Sequence, residues 1–169
     1  MKTLIAYSTR WGMTERSARL IAETLKEADG RSADVLDARR VGRRELEAFD
    51  AFVVGSSIAA GQWKGPARRL LARLAAAKKP TAVFVTAAGV LSGKAPGSAP
   101  DAPPKGTLEE RQARAVGLYI DPIAAKAGLV PVAKSAFGGR MAFFGKVMID
   151  NWEAEPVAAW ARELVKKLK

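Results

Sequence analysis

Three short runs constrain what this chain can fold into: residues 2–7 (KTLIAY), 51–57 (AFVVGSS) and 81–87 (TAVFVTA). A strand with one wet face alternates apolar and polar residues, whereas a run that is apolar throughout is buried on both faces. Parallel sheets covered by helices on both sides bury strands in this way. Between the runs the apolar period changes to that of a helix. Ala18, Ile21, Ala22, Leu25 and Ala28 share one face after the first run, and Gly30 stops that helix. A short second strand is expected at residues 33–36, followed by an arginine-rich connection. After the third strand Gly65 and Pro66 open a helix with an Ala67, Leu70, Leu71 and Leu74 stripe. Residues 88–106, rich in Gly, Pro, Ala and Ser, read as an unusually long loop.

Thr107 and Glu110 have the spacing of a capping box, and Val116, Tyr119, Ile120 and Ile123 mark the face of the helix that follows. Pro122 is expected to kink it and Gly128 to end it. Residues 129–137 (LVPVAKSAF) read as the fifth strand, and a last helix near Pro156 carries Val157, Trp160, Ala161, Leu164 and Leu168 on its apolar face. Five strands alternating with helices imply one α/β domain, a parallel sheet between two helical layers. Ligands of such sheets bind beyond the carboxyl ends of the strands, so the loops after strands one, three and four are the ones to read for chemistry.

Composition removes whole classes of mechanism. The chain has no cysteine, which excludes thiolate nucleophiles, disulfides and cysteine-held metal or iron–sulfur sites. It has no histidine either, so the usual neutral-pH general base and the Ser-His-Asp arrangement are absent. Chemistry here calls for a bound cofactor, with no catalytic side chain and no metal. The net charge of +11 favours anionic partners, although basic residues are spread along the chain and lack the aromatic interleaving of a nucleic-acid groove. No apolar run is long enough to span a bilayer and no signal-peptide pattern opens the chain, so the expected location is cytoplasmic.

The first loop, Ser8-Thr9-Arg10-Trp11-Gly12-Met13-Thr14, places three hydroxyls and a glycine at a helix N-terminus. Free N–H groups and the positive end of the helix dipole suit a phosphate there. A helix cap by Thr14 would account for one hydroxyl only. Other phosphate motifs do not fit. Residues 89–95 (GVLSGKA) are one residue short of a Walker A loop and run into Pro96, and residues 55–59 (GSSIA) lack the closing glycine and histidine partner of a nucleophile elbow.

Residues 7–22 (YSTRWGMTERSARLIA) resemble the phosphate loop of the flavodoxins, and residues 50–66 (DAFVVGSSIAAGQWKGP) resemble their second flavin loop. The likeness runs over essentially the whole chain. It is nearest to the flavodoxin-like branch that includes menaquinone-dependent protoporphyrinogen oxidase, through Gly55, Ser57, Ile58 and Gly61, through Gly138-Gly139-Arg140, and through Asp150 and Trp152. The resemblance implies a flavodoxin-like three-layer sandwich with strand order 2-1-3-4-5 and a non-covalent FMN that carries electrons. It also implies that Ser8, Thr9, Arg10, Gly12, Met13 and Thr14 surround the phosphate, with Trp11 beside the phosphate or the ribityl chain. Ser56, Ser57, Ile58, Ala59 and Gly61 would line one edge of the flavin, and Thr86, Ala87, Ala88 and Gly89 the other. Trp63 has two equal readings, as a cover for the ring or as a core anchor.

Two departures from flavodoxins stand out. Residues 86–106 contain no aromatic to stack on the ring, leaving one face open, and Lys64, Lys94, Lys105 and Arg140 put positive charge in or near the cofactor loops. Positive charge there stabilises an anionic reduced flavin and raises its potential. Residues 138–152 (GGRMAFFGKVMIDNW) are expected to pack beneath the last helix. In the protoporphyrinogen oxidase branch an insertion near this point is linked to substrate and membrane contact. The alternative activities are therefore oxidation of a porphyrinogen or reduction of a quinone, and a flavin-free interaction domain is the reading from another class. The expected partners are a redox protein, a quinone or an anionic small molecule, with peripheral contact at the inner face of a membrane.

Overall fold

The computed structural model describes residues 1–169. Strands β1 (Lys2–Ser8), β2 (Ser32–Asp37), β3 (Ala51–Ala59), β5 (Thr81–Thr86) and β6 (Ala133–Phe137) form a parallel sheet in the order β2-β1-β3-β5-β6. Counting parallel strands alone, this is the expected 2-1-3-4-5. A sixth strand, the two-residue β4 (Gln62–Trp63), folds back antiparallel on the end of β3 through a turn at Ala60 and Gly61.

Each parallel strand feeds both helical layers because successive side chains point to opposite faces. Leu4, Ala6, Phe52, Val54, Val83 and Val85 pack toward α3 (Gly65–Ala76) and the helical segment before Gly128. Ile5, Val53 and Phe84 pack toward α1 (Met13–Asp29) and α7 (Ala154–Lys167). The predicted stripes of α3 and α7 are buried, and so is that of α1 except for Ala28, which is exposed in the last turn of the helix. Gly55 admits no side chain, since a Cβ there would stand 2.1 Å from the Phe84 ring.

Besides a short helix, α2 (Arg43–Ala48), in the arginine-rich connection, the structure departs from the sequence reading at four places. The fifth strand begins at Ala133, not at residue 129, because Pro131 has no N–H to give the ladder. The long loop contains a short helix, α4 (Ala88–Ser92), ended by Gly93 in the left-handed region. The helix started by the Thr107–Glu110 capping box runs as α5 (Leu108–Ala115), widens into a π-turn (Val116–Ile120) and resumes as α6 (Asp121–Ala127). In the widened turn Asp121 N–H donates to Val116, immediately before Pro122, whose ring cannot fit the tighter i→i−4 pattern.

The fourth departure is the largest. Residues 138–152 do not pack beneath α7. They form a two-stranded ribbon, β7 (Arg140–Phe143) and β8 (Lys146–Asp150), joined by a turn in which Phe144 and Gly145 both have positive φ. Phe143, Phe144, Val147 and Met148 are exposed, Phe144 completely. Trp152 alone follows the packing expectation, lying against the α1–α7 side of the core. A two-residue loop fixes the ribbon's own register, so the apolar side chains at its tip need no support from the helix.

Candidate cofactor site

Pairing in the sheet brings hydroxyls together at the carboxyl ends of three adjacent strands. Ser8 stands beside Ser56 across β1 and β3, and Ser57 stands beside Thr86 across β3 and β5. Beyond Ser8 the chain turns through Gly12, whose φ of 88° is the left-handed conformation that glycine adopts without strain. Gly12, not Thr14, is therefore the N-cap of α1. Its own N–H donates to Thr9 Oγ1 at 2.9 Å. Thr14 is fully buried and shares a hydrogen bond with Thr86 Oγ1 at 2.8 Å, which ties the first loop to the end of β5.

This leaves the opening of α1 poor in partners. The first N–H groups of a helix have no intrahelical acceptor, and no side chain caps α1. Ser8 Oγ and Ser57 Oγ are buried and have no hydrogen-bond partner within the chain. A buried hydroxyl in this state costs about 1–3 kcal/mol unless something pairs with it. Donors and acceptors awaiting a partner at a helix N-terminus form a cradle with the chemistry of a phosphate site.

A cleft runs between the loops. It is lined by Thr9, Trp11, Met13, Thr14, Ser57, Ile58, Thr86 and Ala88 from the expected set, and by Arg140 and Met141. The other expected residues support it from outside. Arg10 is exposed, with its guanidinium carbon 4.9 Å from the Trp11 ring centre. Ser56 is fully buried, donating to the Ser57 carbonyl and accepting from Lys64 N–H. Ala59 pairs with Gln62 across the β3–β4 turn that contains Gly61, Ala87 is buried beneath the loop, and Gly89 lies in the first turn of α4 beside Met141.

Trp63 is a core anchor and not a cover for the cleft. It is 7 % exposed, and its Nε1 donates to the Tyr119 carbonyl at 2.6 Å. That carbonyl belongs to the π-turn, whose wider spacing frees backbone acceptors from the regular helical pattern. Met141 was absent from the expected lining, and Arg140 was expected only as a positive charge in or near the cofactor loops, because both lie some fifty residues beyond Ala88. The readable signal for them was the Gly138-Gly139 pair. A Cβ on Gly138 would meet the Asn151 carbonyl oxygen at 2.0 Å, and one on Gly139 would meet Thr86 Cβ at 3.3 Å.

Tyr7, at the end of β1, has its phenol pushed above the ordinary value by burial and then by the Glu15 carboxylate, so it stays neutral at physiological pH. No group of acidic residues in the fold is placed to hold a metal ion. No helix is long and apolar enough to cross a membrane.

Comparison with known proteins agrees with this architecture. The chain overlays on a flavodoxin from the domain Archaea with a TM-score of 0.59 at 16 % identity, covering 99 % of both chains. A short-chain flavodoxin associated with a non-canonical PDU bacterial microcompartment gives a TM-score of 0.61 at 16 % identity over the full length of both. The rubredoxin oxygen:oxidoreductase of Desulfovibrio gigas gives 0.59, but this chain covers only 36 % of it. At such identities the likeness establishes the fold. In sequence, the protoporphyrinogen IX dehydrogenase [quinone] of Escherichia coli K12 is 43 % identical over 63 residues, which is 37 % of this chain and 34 % of the relative. The chain thus spans about a third of that relative's length in the match. The family model described as the flavodoxin domain matches residues 4–149, through all three loops around the cleft and nearly to the end of the ribbon, and the chain belongs to the flavodoxin-domain family.

Proposed function

We propose that the protein binds FMN non-covalently in the cleft between the first, second and third loops and passes electrons through it. The observation that carries this reading is the set of unmet groups at the mouth of α1. Ser57 Oγ, in the cleft lining, and Ser8 Oγ, on the residue that leads from β1 into the first loop, are buried without partners, and no side chain caps the helix that follows. When bound, FMN supplies reversible uptake and release of electrons, and the chain supplies position and electrostatics. Gly12 gives the backbone its close approach, Thr14 and Thr86 lock two loops together, and Ser57 offers its hydroxyl to the cofactor. The test is a titration of the purified protein with FMN, followed by flavin absorbance and fluorescence. Saturable binding at micromolar FMN is expected. Absence of binding would leave the fold as an interaction domain without flavin.

A second reading concerns where the electrons go, and the ribbon favours it. Phe143, Phe144, Val147 and Met148 form an exposed apolar tip next to Lys146, on a protein with net charge +11. Such a tip suits the interface of an anionic bilayer, where apolar side chains enter and lysine meets the headgroups. We propose that this end of the molecule docks on a membrane surface and delivers electrons to a quinone. Co-sedimentation with vesicles containing an anionic lipid should be lost when Phe143 and Phe144 are both changed to Ser. Reoxidation of the reduced FMN-loaded protein by a short-chain quinone measures the transfer separately. The same assay with a porphyrinogen as donor tests the activity named for the Escherichia coli relative.

A further inference from the structure

The ribbon reaches the cofactor cleft as well as solvent. Its root is clamped to the third loop by one side chain. Asn151 Oδ1 accepts from Gly139 N–H at 2.9 Å, Asn151 Nδ2 donates to the Ala88 carbonyl at 3.0 Å, and Asn151 N–H donates to the Gly139 carbonyl at 3.0 Å. Ala87 N–H donates to Phe137 at 2.9 Å on the same side. The glycines at 138 and 139 let the backbone cross Thr86 and Asn151 in contact, with no space for a Cβ at 138. The ribbon therefore cannot drift relative to Thr86, and Thr86 is bonded to Thr14 of the first loop.

The first residue beyond this clamp is Arg140, which lines the cleft with Thr9, Trp11, Met13 and Thr14 of the first loop. Its guanidinium is held by Asp150, directly across the ribbon, with Nη2 at 3.0 Å and Nε at 3.3 Å from the same Oδ2. Both bonds go to one carboxylate oxygen, and the pair is only partly covered, with side-chain exposures of 37 % and 45 %. A guanidinium carries five N–H donors, so three are left over. Of the other cations near the cofactor loops, Lys94 Nζ is engaged with the Pro100 carbonyl, Arg10 is exposed against the Trp11 ring, and none of Arg10, Lys64, Lys94 and Lys105 lines this cleft.

We infer that Arg140 is a cofactor-contacting residue, a fourth wall of the site that gives the FMN phosphate a charged hydrogen-bond partner, with Asp150 and Asn151 as the residues that position it. The inference rests on the FMN reading above. A phosphate dianion met by a guanidinium makes the stronger, charge-assisted kind of hydrogen bond, whereas riboflavin, which lacks the phosphate, gains nothing from it.

The experiment compares FMN and riboflavin affinities, by fluorescence quenching, for the wild type, Arg140→Gln and Arg140→Lys, with thermal unfolding of each variant as a check on folding. For Arg140→Gln, FMN affinity is expected to fall about ten-fold or more while riboflavin affinity changes by less than about three-fold. Arg140→Lys, which keeps the charge and loses the fork, should fall between. The FMN dissociation constant of the wild type should also rise more steeply with salt than that of Arg140→Gln. Equal losses for both flavins, or no loss for FMN, would overturn the role of Arg140 while leaving the FMN reading intact. Failure of the wild type to bind either flavin would overturn both.

Discussion

Ser57 shows at the scale of one residue how a site differs from a core. The residue is 5 % exposed and its buried hydroxyl is unpaired, a state that a stability-optimised interior avoids. Ser57→Ala should therefore leave the flavin-free protein as stable or more stable, by up to about 1 kcal/mol, while weakening FMN binding. Urea unfolding with and without FMN reads both signs, and a loss of stability in the flavin-free variant would mean that the hydroxyl has a structural partner. Gly55 is the opposite case. It lies in the segment that resembles a flavin loop, yet what demands glycine there is the Phe84 ring on the neighbouring strand. Gly55→Ala should destabilise the fold by roughly 1–3 kcal/mol in the same urea assay, with or without flavin. The sequence pattern found Gly55 for one reason, and packing supplies another.

At the scale of elements, the ribbon β7–β8 carries the least sequence-legible chemistry in the molecule. Its apolar residues look like core in a linear reading, because Phe143, Phe144, Val147 and Met148 have the composition of a buried strand. What decides their exposure is the turn. Phe144 at φ 48° and Gly145 at φ 77° reverse the chain within two residues and send the tip away from the body of the protein. A phenylalanine in the left-handed region is strained, and asparagine is far better tolerated there. Phe144→Asn should raise stability by about 0.5–1 kcal/mol and at the same time weaken vesicle binding. Thermal unfolding and co-sedimentation on one preparation check the pair, and unchanged vesicle binding would remove Phe144 from the docking surface. The helix interrupted at Val116–Ile120 is better marked in sequence, since Pro122 announces a break, although a π-turn and a kink cannot be told apart without the backbone.

For the molecule as a whole, the absence of histidine and cysteine leaves no side chain with an ordinary pKa between pH 5 and 8. The carboxylates with clear shifts sit on the acid side. Asp29 is held below its usual range by hydrogen bonds from Arg31, Asp37 by those from Arg39, and Glu45 by the Gly42 N–H. A carboxyl depressed in the folded state contributes stability that is complete above its unfolded value, about 4, and is lost as pH falls through the lower folded value. The urea midpoint should thus be flat from pH 6 to 8.5 and decline below about pH 4, with Asp29 contributing most because its partner Arg31 is buried, whereas the Arg39 partner of Asp37 is exposed. A slope near neutral pH would point to a titrating group not accounted for here. Arg31 ties this to architecture, since it also donates to the Leu168 and Val165 carbonyls and so joins the end of α1 to the end of α7.

Much of this protein was determined by its sequence alone, because the responsible forces are local. Apolar runs on both faces of a strand, helical stripes, glycine stops and the capping box at Thr107 specify elements from neighbours a few residues away, and right-handed crossovers then leave few ways to join them. The first loop belongs to the same class, with hydroxyls, glycine and helix N-terminus contiguous in the chain. Tertiary structure alone decided which residues share the cleft. The Thr14–Thr86 bond, the placement of Trp63 against Tyr119, and the arrival of Arg140 in the cleft that Thr9 also lines join segments dozens of residues apart. Such contacts depend on strand register and on where a hairpin points, and neither leaves a local periodicity in the residues themselves.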